Sequence, residues 1–257
     1  MIFLKKIVLM VSQYKYHLID AIKSYASNMD IIEWVSAGSD LHLQDSMGNT
    51  ALIWAVRTRA SADVIAVLLE AGSPVNHQSE EGATALYWAV LNHSDLSVIK
   101  LLLAANADVH YKNNYGNSLL MVYSNYGNDI DVIKCLLEAG INVNHQNRWG
   151  KTALSDSICH RIRYNVVQVL LEAGSDLELK DEKGQTALDW VLRLDGDKET
   201  TDILHVYQRK KRLKEIECMK SSLLYYDKKI SDEINMSEVP LMVGEFLGLT
   251  RSEVNNY

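Results

Sequence analysis

The sequence predicts an all-α solenoid: stacked helix-turn-helix units joined by short β-hairpin loops. Two periodic landmarks and one helix-start signal predict it. The stretches "SMGNTALIWAV", "EEGATALYWAV", "NYGNSLLMVYS", "NRWGKTALSDS" and "EKGQTALDWVL" place glycines at Gly48, Gly82, Gly116, Gly150 and Gly184, a constant step of 34 residues. A hydroxyl follows two residues later each time, at Thr50, Thr84, Ser118, Thr152 and Thr186. The second landmark keeps the same phase in "LLEAGSPVN", "LLAANADVH", "LLEAGINVN" and "LLEAGSDLE", with Gly72, Asn106, Gly140 and Gly174 at the matching place. Each hydroxyl stands before an apolar run, where its oxygen can accept from the free amides of a first helical turn.

In chain order, residues 1–12 form an N-terminal extension in which Met10 is an alternative start. Residues 13–44 read as a capping unit, because His17 to Leu41 carries two helical segments and the Gly38 landmark without the Thr-x-Leu start. Such a cap shields the apolar face of a terminal unit. Four full units follow at 45–78, 79–112, 113–146 and 147–180. In the first of them a helix begins after Thr50, and a second, "DVIAVLLEAG", repeats Val64, Val67, Leu68 and Leu69 at helical spacing before a left-handed cap at Gly72. The intervening "SPVNHQSEEG" has alternating character and turn residues, so it reads as an extended arm bending into the next unit. Residues 181–214 keep the first helix and replace the apolar second one with a more polar helix. The tail, 215–257, loses the repeat; Ile216, Met219, Leu223, Leu224 and Tyr226 keep helical periodicity and are expected to fold back as a cap, and "SEVPLMVGEFLGLTRSEVNNY" is unassigned.

Helix, turn, helix and hairpin at this period resembles the ankyrin repeat, whose period is about 33 residues and whose hallmark is Thr-Pro-Leu-His-x-Ala. The resemblance covers residues 13 to 212. The family proline is replaced by Ala51, Ala85, Leu119, Ala153 and Ala187, and the family histidine by Ile53, Tyr87, Met121, Ser155 and Asp189. Alanine is acceptable at a first helical position. Loss of the histidine removes the side-chain hydrogen bonds that the resemblance implies between units, so stability is expected to rest more on apolar stacking. Trp54, Trp88 and Trp190 share one register and are expected to pack between units.

Composition agrees with a globular chain able to bury a continuous core: 257 residues, 47% hydrophobic and 23% charged, with a pI near 5.6. The longest early apolar run, Ile7 to Val11, is too short for a membrane span or a signal-peptide core. Three cysteines in a long acidic chain favour a reducing, cytoplasmic compartment, and Cys135 falls at the repeat position of Val67, Leu101 and Val169, a buried apolar place. The net charge of −7 disfavours nucleic acid, which needs an excess of Lys and Arg on one face. "RKKRLK", Arg209 to Lys214, reads as a solvated helix end, with nuclear localisation as the alternative.

Chemistry is sparse. The sequence holds no phosphate-binding glycine loop, nucleophile-elbow serine or cysteine pair at zinc spacing. His77 and His145 recur in "NHQ" but sit two units apart, too far to share a metal. Cys159 and His160 are adjacent, and neighbouring helical positions diverge by about 100°. No enzymatic activity, cofactor or metal is expected. The resemblance also implies that Asn76 and Asn144 occupy the hairpin position where an asparaginyl hydroxylase acts, with the bland alternative that they satisfy the turn's backbone.

Function is therefore expected in the surface: a protein-protein interaction module or scaffold, without small-molecule, nucleic-acid or membrane partners, monomeric and cytoplasmic, including a host cytoplasm if the protein is a delivered effector. Alternatives are an adaptor or effector whose tail recruits a second protein, and an enzyme with its site in the tail. In ankyrin proteins the hairpin tips and first-helix ends line the concave binding face. The count puts tips at Met47, Glu81, Tyr115, Trp149 and Lys183, and helix ends at Arg57 and Thr58, Leu91 and Asn92, Asn125 and Tyr126, Cys159 and His160. Tyr115, Trp149 and Tyr126 are expected to form an apolar centre, flanked by Glu80 and Glu81 on one side and Arg148, Lys151, His160 and Arg161 on the other.

Overall fold

The structure is a computed structural model that describes residues 18–126, 129–160, 164–194 and 198–226. The extension 1–12 and the tail beyond residue 226 lie outside the described residues. The chain divides into two units, Met1–Trp190 and Val191–Tyr257.

The first unit is built from helices in pairs. Residues 18–23 (α1) and Asn28–Ser36 (α2) form the capping pair. Then come α3 (Ala51–Arg57) with α4 (Ala62–Glu70), and α5 (Ala85–Leu91) with α6 (Leu96–Ala104). They are followed by α7 (Leu119–Tyr126) with α8 (Ile130–Glu138), and α9 (Ala153–Cys159) with α10 (Tyr164–Glu172). First helices pack on first helices and second on second along the array, and each pair also packs on itself. The hydroxyls cap their helices: Thr50, Thr84, Ser118, Thr152 and Thr186 accept from the backbone N–H of Ile53, Tyr87, Met121, Ser155 and Asp189 at 3.1–3.4 Å. At the far end of the second helices Gly72 has φ +90°, and Ser73 N–H reaches back to the Leu68 carbonyl at 3.0 Å, the left-handed closure that the glycine landmark predicts.

The core is a continuous apolar seam through Leu52, Ile65, Leu68, Leu86, Ile99, Leu102, Leu120 and Ile133, all under 2% exposed. Ile53 and Met121, standing where the family has histidine, are also fully buried. Burying one such side chain contributes about 1.5–3 kcal/mol. Polar links exist as well, within units and between them. Within a unit, His77 and His145 reach the Gly48 and Gly116 carbonyls through Nε2 at 2.8 and 2.7 Å. Asn76 donates to the Asn106 carbonyl and accepts from Asp108 N–H; Asn144 does the same with Gly174 and Asp176. These asparagines thus join one unit to the next.

The hairpins are turns rather than ladders. Among the described residues there is no strand, and the single bridge pairs Lys112 with Ser118. One residue closes each of four hairpins at its base, and in the fifth Ser79 Oγ accepts from Ala83 N–H at 3.3 Å. Asp45 Oδ1 accepts from the N–H of Met47 and Asn49, Asn113 from Tyr115 and Asn117, Asn147 from Trp149 and Lys151, and Asp181 from Lys183 and Gln185, all at 2.9–3.0 Å. Successive tips also join by backbone: Glu80 N–H donates to Met47, Arg148 N–H to Tyr115 and Glu182 N–H to Trp149.

The hydroxyl of Thr186 opens α11 (Ala187–Arg193), and in the second unit α12 (Lys198–Tyr226) is one helix of 29 residues. Lys214 and Glu215, which the sequence analysis puts on two sides of a boundary, are consecutive residues inside it, as expected of a stretch without Gly or Pro. The basic run Arg209 to Lys214 is interior to this helix and not at its end, so the helix dipole gives it no special role. No described helix is long and apolar enough to cross a membrane.

The tight hairpin stacking gives a test. Gly150 has φ +71°, and a Cβ there would lie 2.9 Å from Asp181 Cα, whereas Gly72 at φ +90° has open space around it. Left-handed backbone alone costs a non-glycine residue about 1–2 kcal/mol. Gly72→Ala should lose about that much in urea unfolding and Gly150→Ala clearly more; equal losses would show that the hairpins are not in close register.

Candidate functional site

The first-helix face of the array carries tryptophans and the charged groups that hold them. Trp54 Nε1 donates to Asp45 Oδ2 at 2.8 Å, and Trp190 Nε1 to Asp181 Oδ2 at 2.9 Å. The aspartate that closes the hairpin therefore also anchors the ring nine residues on. In the unit after that of Trp54, Ser79 replaces the aspartate, and Trp88 Nε1 is buried with no hydrogen-bond partner. These rings tie hairpin to helix within a unit, and Arg57 spans two units. Its guanidinium carbon lies 4.5 Å from the Trp54 ring centre and 4.3 Å from that of Trp88.

Burial, the largest influence on the Asp45 carboxyl, works to raise it. Hydrogen bonds from Asn49 N–H, the Lys23 ammonium at 2.9 Å, the Trp54 indole and Met47 N–H outweigh burial and hold the group well below its ordinary 3.8. Asp181 shows the same balance. Burial raises it, and the N–H of Gln185, the Trp190 indole, the N–H of Lys183 and the charge of Lys151 bring it down.

Toward the C-terminal end of the first unit the tips become aromatic. Trp149 stacks on Tyr115 with ring centres 5.8 Å apart and planes at 24°. Both remain on the surface, Tyr115 59% and Trp149 46% exposed. They rim a concavity of about 530 Å³ whose other walls are Trp190, Lys151, Asp156, His160 and the tip residues Asp181, Glu182 and Lys183, a size in the range of small-molecule or side-chain sites. On its floor Lys151 Nζ lies 3.4 Å from Asp156 Oδ1 and 5.1 Å from the Trp190 ring centre. His160 Nδ1 donates to the Asp156 carbonyl at 2.8 Å and lies 3.7 Å from Asp156 Oδ1.

Of the residues expected at a partner surface, the structure gathers Tyr115, Trp149, Lys151 and His160 around this concavity. Arg148 is exposed on the same tip, and Met47 and Glu81 are exposed on earlier tips. Leu91 is half-buried, and Arg57 is held between its two tryptophans. Tyr126 ends α7, but its side chain, that of Asn125 and all of Arg161 lie outside the described residues. Trp190, Asp156 and Asp181 are absent from the sequence-based site. The 34-residue count that found the tips also puts 156 and 190 in the register of Trp54, and would have found them.

Nothing here forms a nucleophile and base. The Cys159 thiol is pushed up by burial, and the nearer ring nitrogen of His160 is spent on the Asp156 carbonyl. Burial likewise raises Cys135. Among the described residues no group of three or more His, Cys, Asp or Glu is arranged to hold a metal.

The family described as ankyrin repeats (3 copies) matches at residues 18–113, 88–181 and 119–212. No curated protein matches the chain significantly in sequence. Among solved structures, an ankyrin repeat domain from Acinetobacter baumannii AYE is similar at 28% identity and TM-score 0.68, covering 75% of this chain and 98% of that one. A chain of the complex between a predatory endopeptidase of Bdellovibrio bacteriovorus and an immunity protein is similar at 26% identity and TM-score 0.64, covering 74% of this chain and 97% of that one. The ankyrin repeat domain of Bcl-3, a member of the IkappaB protein family, is similar at 26% identity and TM-score 0.63, covering 73% and 81%.

Two variants test the tryptophan anchors. Ser79→Asp supplies the acceptor that Trp88 Nε1 lacks and should raise stability by about 1 kcal/mol in urea unfolding; no gain would mean that the indole is satisfied otherwise. For Asp45 the folded-state carboxyl is depressed, so its contribution is complete above the unfolded value of 3.8 and disappears as pH falls through the lower folded value. The stability gap between the parent and Asp45→Asn should stay constant from neutral pH to about pH 5 and close below about pH 4; a gap unchanged down to the acid limit would sink that assignment.

Proposed function

The chain belongs to the ankyrin-repeat family, whose arrays generally mediate protein-protein interaction, and on that premise we propose that it is a non-enzymatic binding module whose partner seats on the hairpin tips and first-helix ends. One observation supports this reading above the others. Tyr115 and Trp149 place a stacked pair of large aromatic rings on the surface, at the rim of a concavity. Interface hot spots are enriched in Trp, Tyr and Arg in recessed patches that a partner desolvates. Met47, Glu81 and Arg148 extend the row of tips on either side, with Arg57, Leu91, Tyr126 and His160 as the helix-end row. Charges flanking an aromatic centre set orientation and association rate more than affinity. The relatives agree in kind, since the Bdellovibrio structure is itself a complex between two proteins. In this reading the protein works in the cytoplasm as a monomer without a cofactor.

The division of the chain at Trp190 sets a C-terminal unit apart from the array and favours a second reading, an adaptor whose C-terminal tail, 215–257, recruits a further protein. Removal of the tail separates the two: a simple binder keeps its partner, and an adaptor loses one of two.

The binding face itself is tested by replacing both rings. Partners captured on the parent protein and identified by mass spectrometry should bind Trp149→Ala with Tyr115→Ala at least about tenfold more weakly, equivalent to about 1.4 kcal/mol, with unchanged thermal melting. Undiminished binding, or a melt that falls steeply, would show that the stack serves the hairpins and not a partner.

A further inference from the structure

Along the tips and floor of the concavity, the acceptors already hold donors of this chain. Asn147 Oδ1 accepts from the N–H of Trp149 and Lys151. Asp181 Oδ1 accepts from the N–H of Lys183 and Gln185, and Oδ2 from the Trp190 indole. Asp156 is buried beside Lys151 Nζ and His160 Nδ1. The tip carbonyls are taken too, that of Tyr115 by Arg148 N–H and that of Trp149 by Glu182 N–H. The donors are differently placed. Because Asn147 Oδ1 faces two backbone N–H groups, the other end of that amide is its nitrogen, which donates to Asn117 at 2.8 Å. The Asn117 atom receiving it is therefore Oδ1, and Asn117 Nδ2 is left over as a donor. Among the described residues, neither this nitrogen, nor the Trp149 indole N–H, nor the Tyr115 hydroxyl has a hydrogen-bond partner in the chain.

We propose, building on the partner-binding reading above, that the concavity takes a proline-rich segment of the partner protein in the polyproline II conformation. Its rings lie on the aromatic wall of Tyr115, Trp149 and Trp190, and Asn117 Nδ2 and the Trp149 indole donate to its carbonyls. Three properties select it. Proline has no N–H, so it needs no acceptor where the acceptors are taken, whereas the N–H of any other residue pressed against the rings loses water and gains no partner there. A polyproline II helix makes no internal hydrogen bonds, so its carbonyls are open to the two donors. Its backbone is already ordered before docking, and aromatic-lined grooves receive such segments for that reason. The charges of the site point the same way. Lys151 pairs with Asp156, and Asp181 is held by three N–H donors, so neither carboxylate is left for a charged occupant. At about 530 Å³ the space suits a run of extended chain better than one side chain.

The full-length protein labelled with nitrogen-15 provides the test. The indole N–H signals are identified through Trp149→Phe and Trp190→Phe, and the side-chain amide of Asn117 through Asn117→Asp. The probes are acetyl-hexaproline-amide, its N-methylglycine counterpart, which also lacks N–H, and the alanine, glutamate and arginine counterparts. The proline peptide should move both indole signals and the Asn117 amide to saturation, at an affinity about tenfold or more above that of the alanine peptide, with N-methylglycine between them. Asn117→Asp keeps the oxygen that receives Asn147 Nδ2 and removes the donor, so it should weaken the proline peptide about tenfold with an unchanged melt. Trp149→Phe keeps a ring and removes the indole N–H, and should weaken it about threefold. For an uncharged occupant the affinity should change less than about twofold between about 0.05 and 0.5 M salt. Signals that do not move, an equal response to the alanine peptide, indifference to Asn117→Asp, or tighter binding of the glutamate or arginine peptide would overturn the proposal. If Asn117→Asp fails to fold by circular dichroism, Trp149→Phe and the order of the three uncharged peptides decide instead. A partner whose capture needs Tyr115 and Trp149, but which is neither weakened by Asn117→Asp nor displaced by the proline peptide, leaves the binding face standing and removes the proline segment.

Discussion

A side-chain oxygen at the base of each hairpin governs this array. Asp45, Asn113, Asn147 and Asp181 each accept two backbone N–H groups of their own loop, which pins a tight turn and turns the tip residue outward. Only with the turn closed can a glycine with positive φ, such as Gly150, bring its backbone within reach of the next hairpin. The two aspartates add a second duty by holding the indoles of Trp54 and Trp190. One carboxylate thus sets the angle between hairpin and first helix, and with it the face presented outside.

Stacking then depends on two layers of interaction with different ranges. The apolar seam from Leu52 to Ile133 supplies most of the free energy, but it is indifferent to small slips of one unit along the next. The polar links carry the directionality: Asn76 and Asn144 to the following loop, and the tip-to-tip backbone bonds. A unit with its seam exposed on one side has no reason to stay folded alone, so the order in the tips is a property of the array.

The aromatic site grows out of this arrangement at the one place where its register is broken. Trp54 and Trp88 close on Arg57 and leave little free surface, while Asp156 in the same register leaves a recess beside Trp190. Counting from the glycines identified Tyr115 and Trp149 as neighbours on successive tips, because hairpin length is constant. The same count did not show that Trp190 would face them. That follows from the indole bond to Asp181 and from the contact of Lys151 with the ring.

Local chemistry was therefore readable directly. Periodicity identified the helix pairs, hydroxyls and glycines marked their ends, and the tips were countable, since each of these depends on residues a few positions apart. What needed the tertiary structure was everything that depends on which side chains meet across units. Asparagines tie one unit to the next and histidines close each unit on its own hairpin, Arg57 found two rings 34 residues apart, and a buried carboxylate opened a recess. The helix Lys198–Tyr226 also ran through an expected boundary, because a loss of repeat pattern need not break a helix that contains no breaker. Sequence spacing specifies which residues share a face, but the distance between faces is set by packing, and at this site packing decided what is exposed.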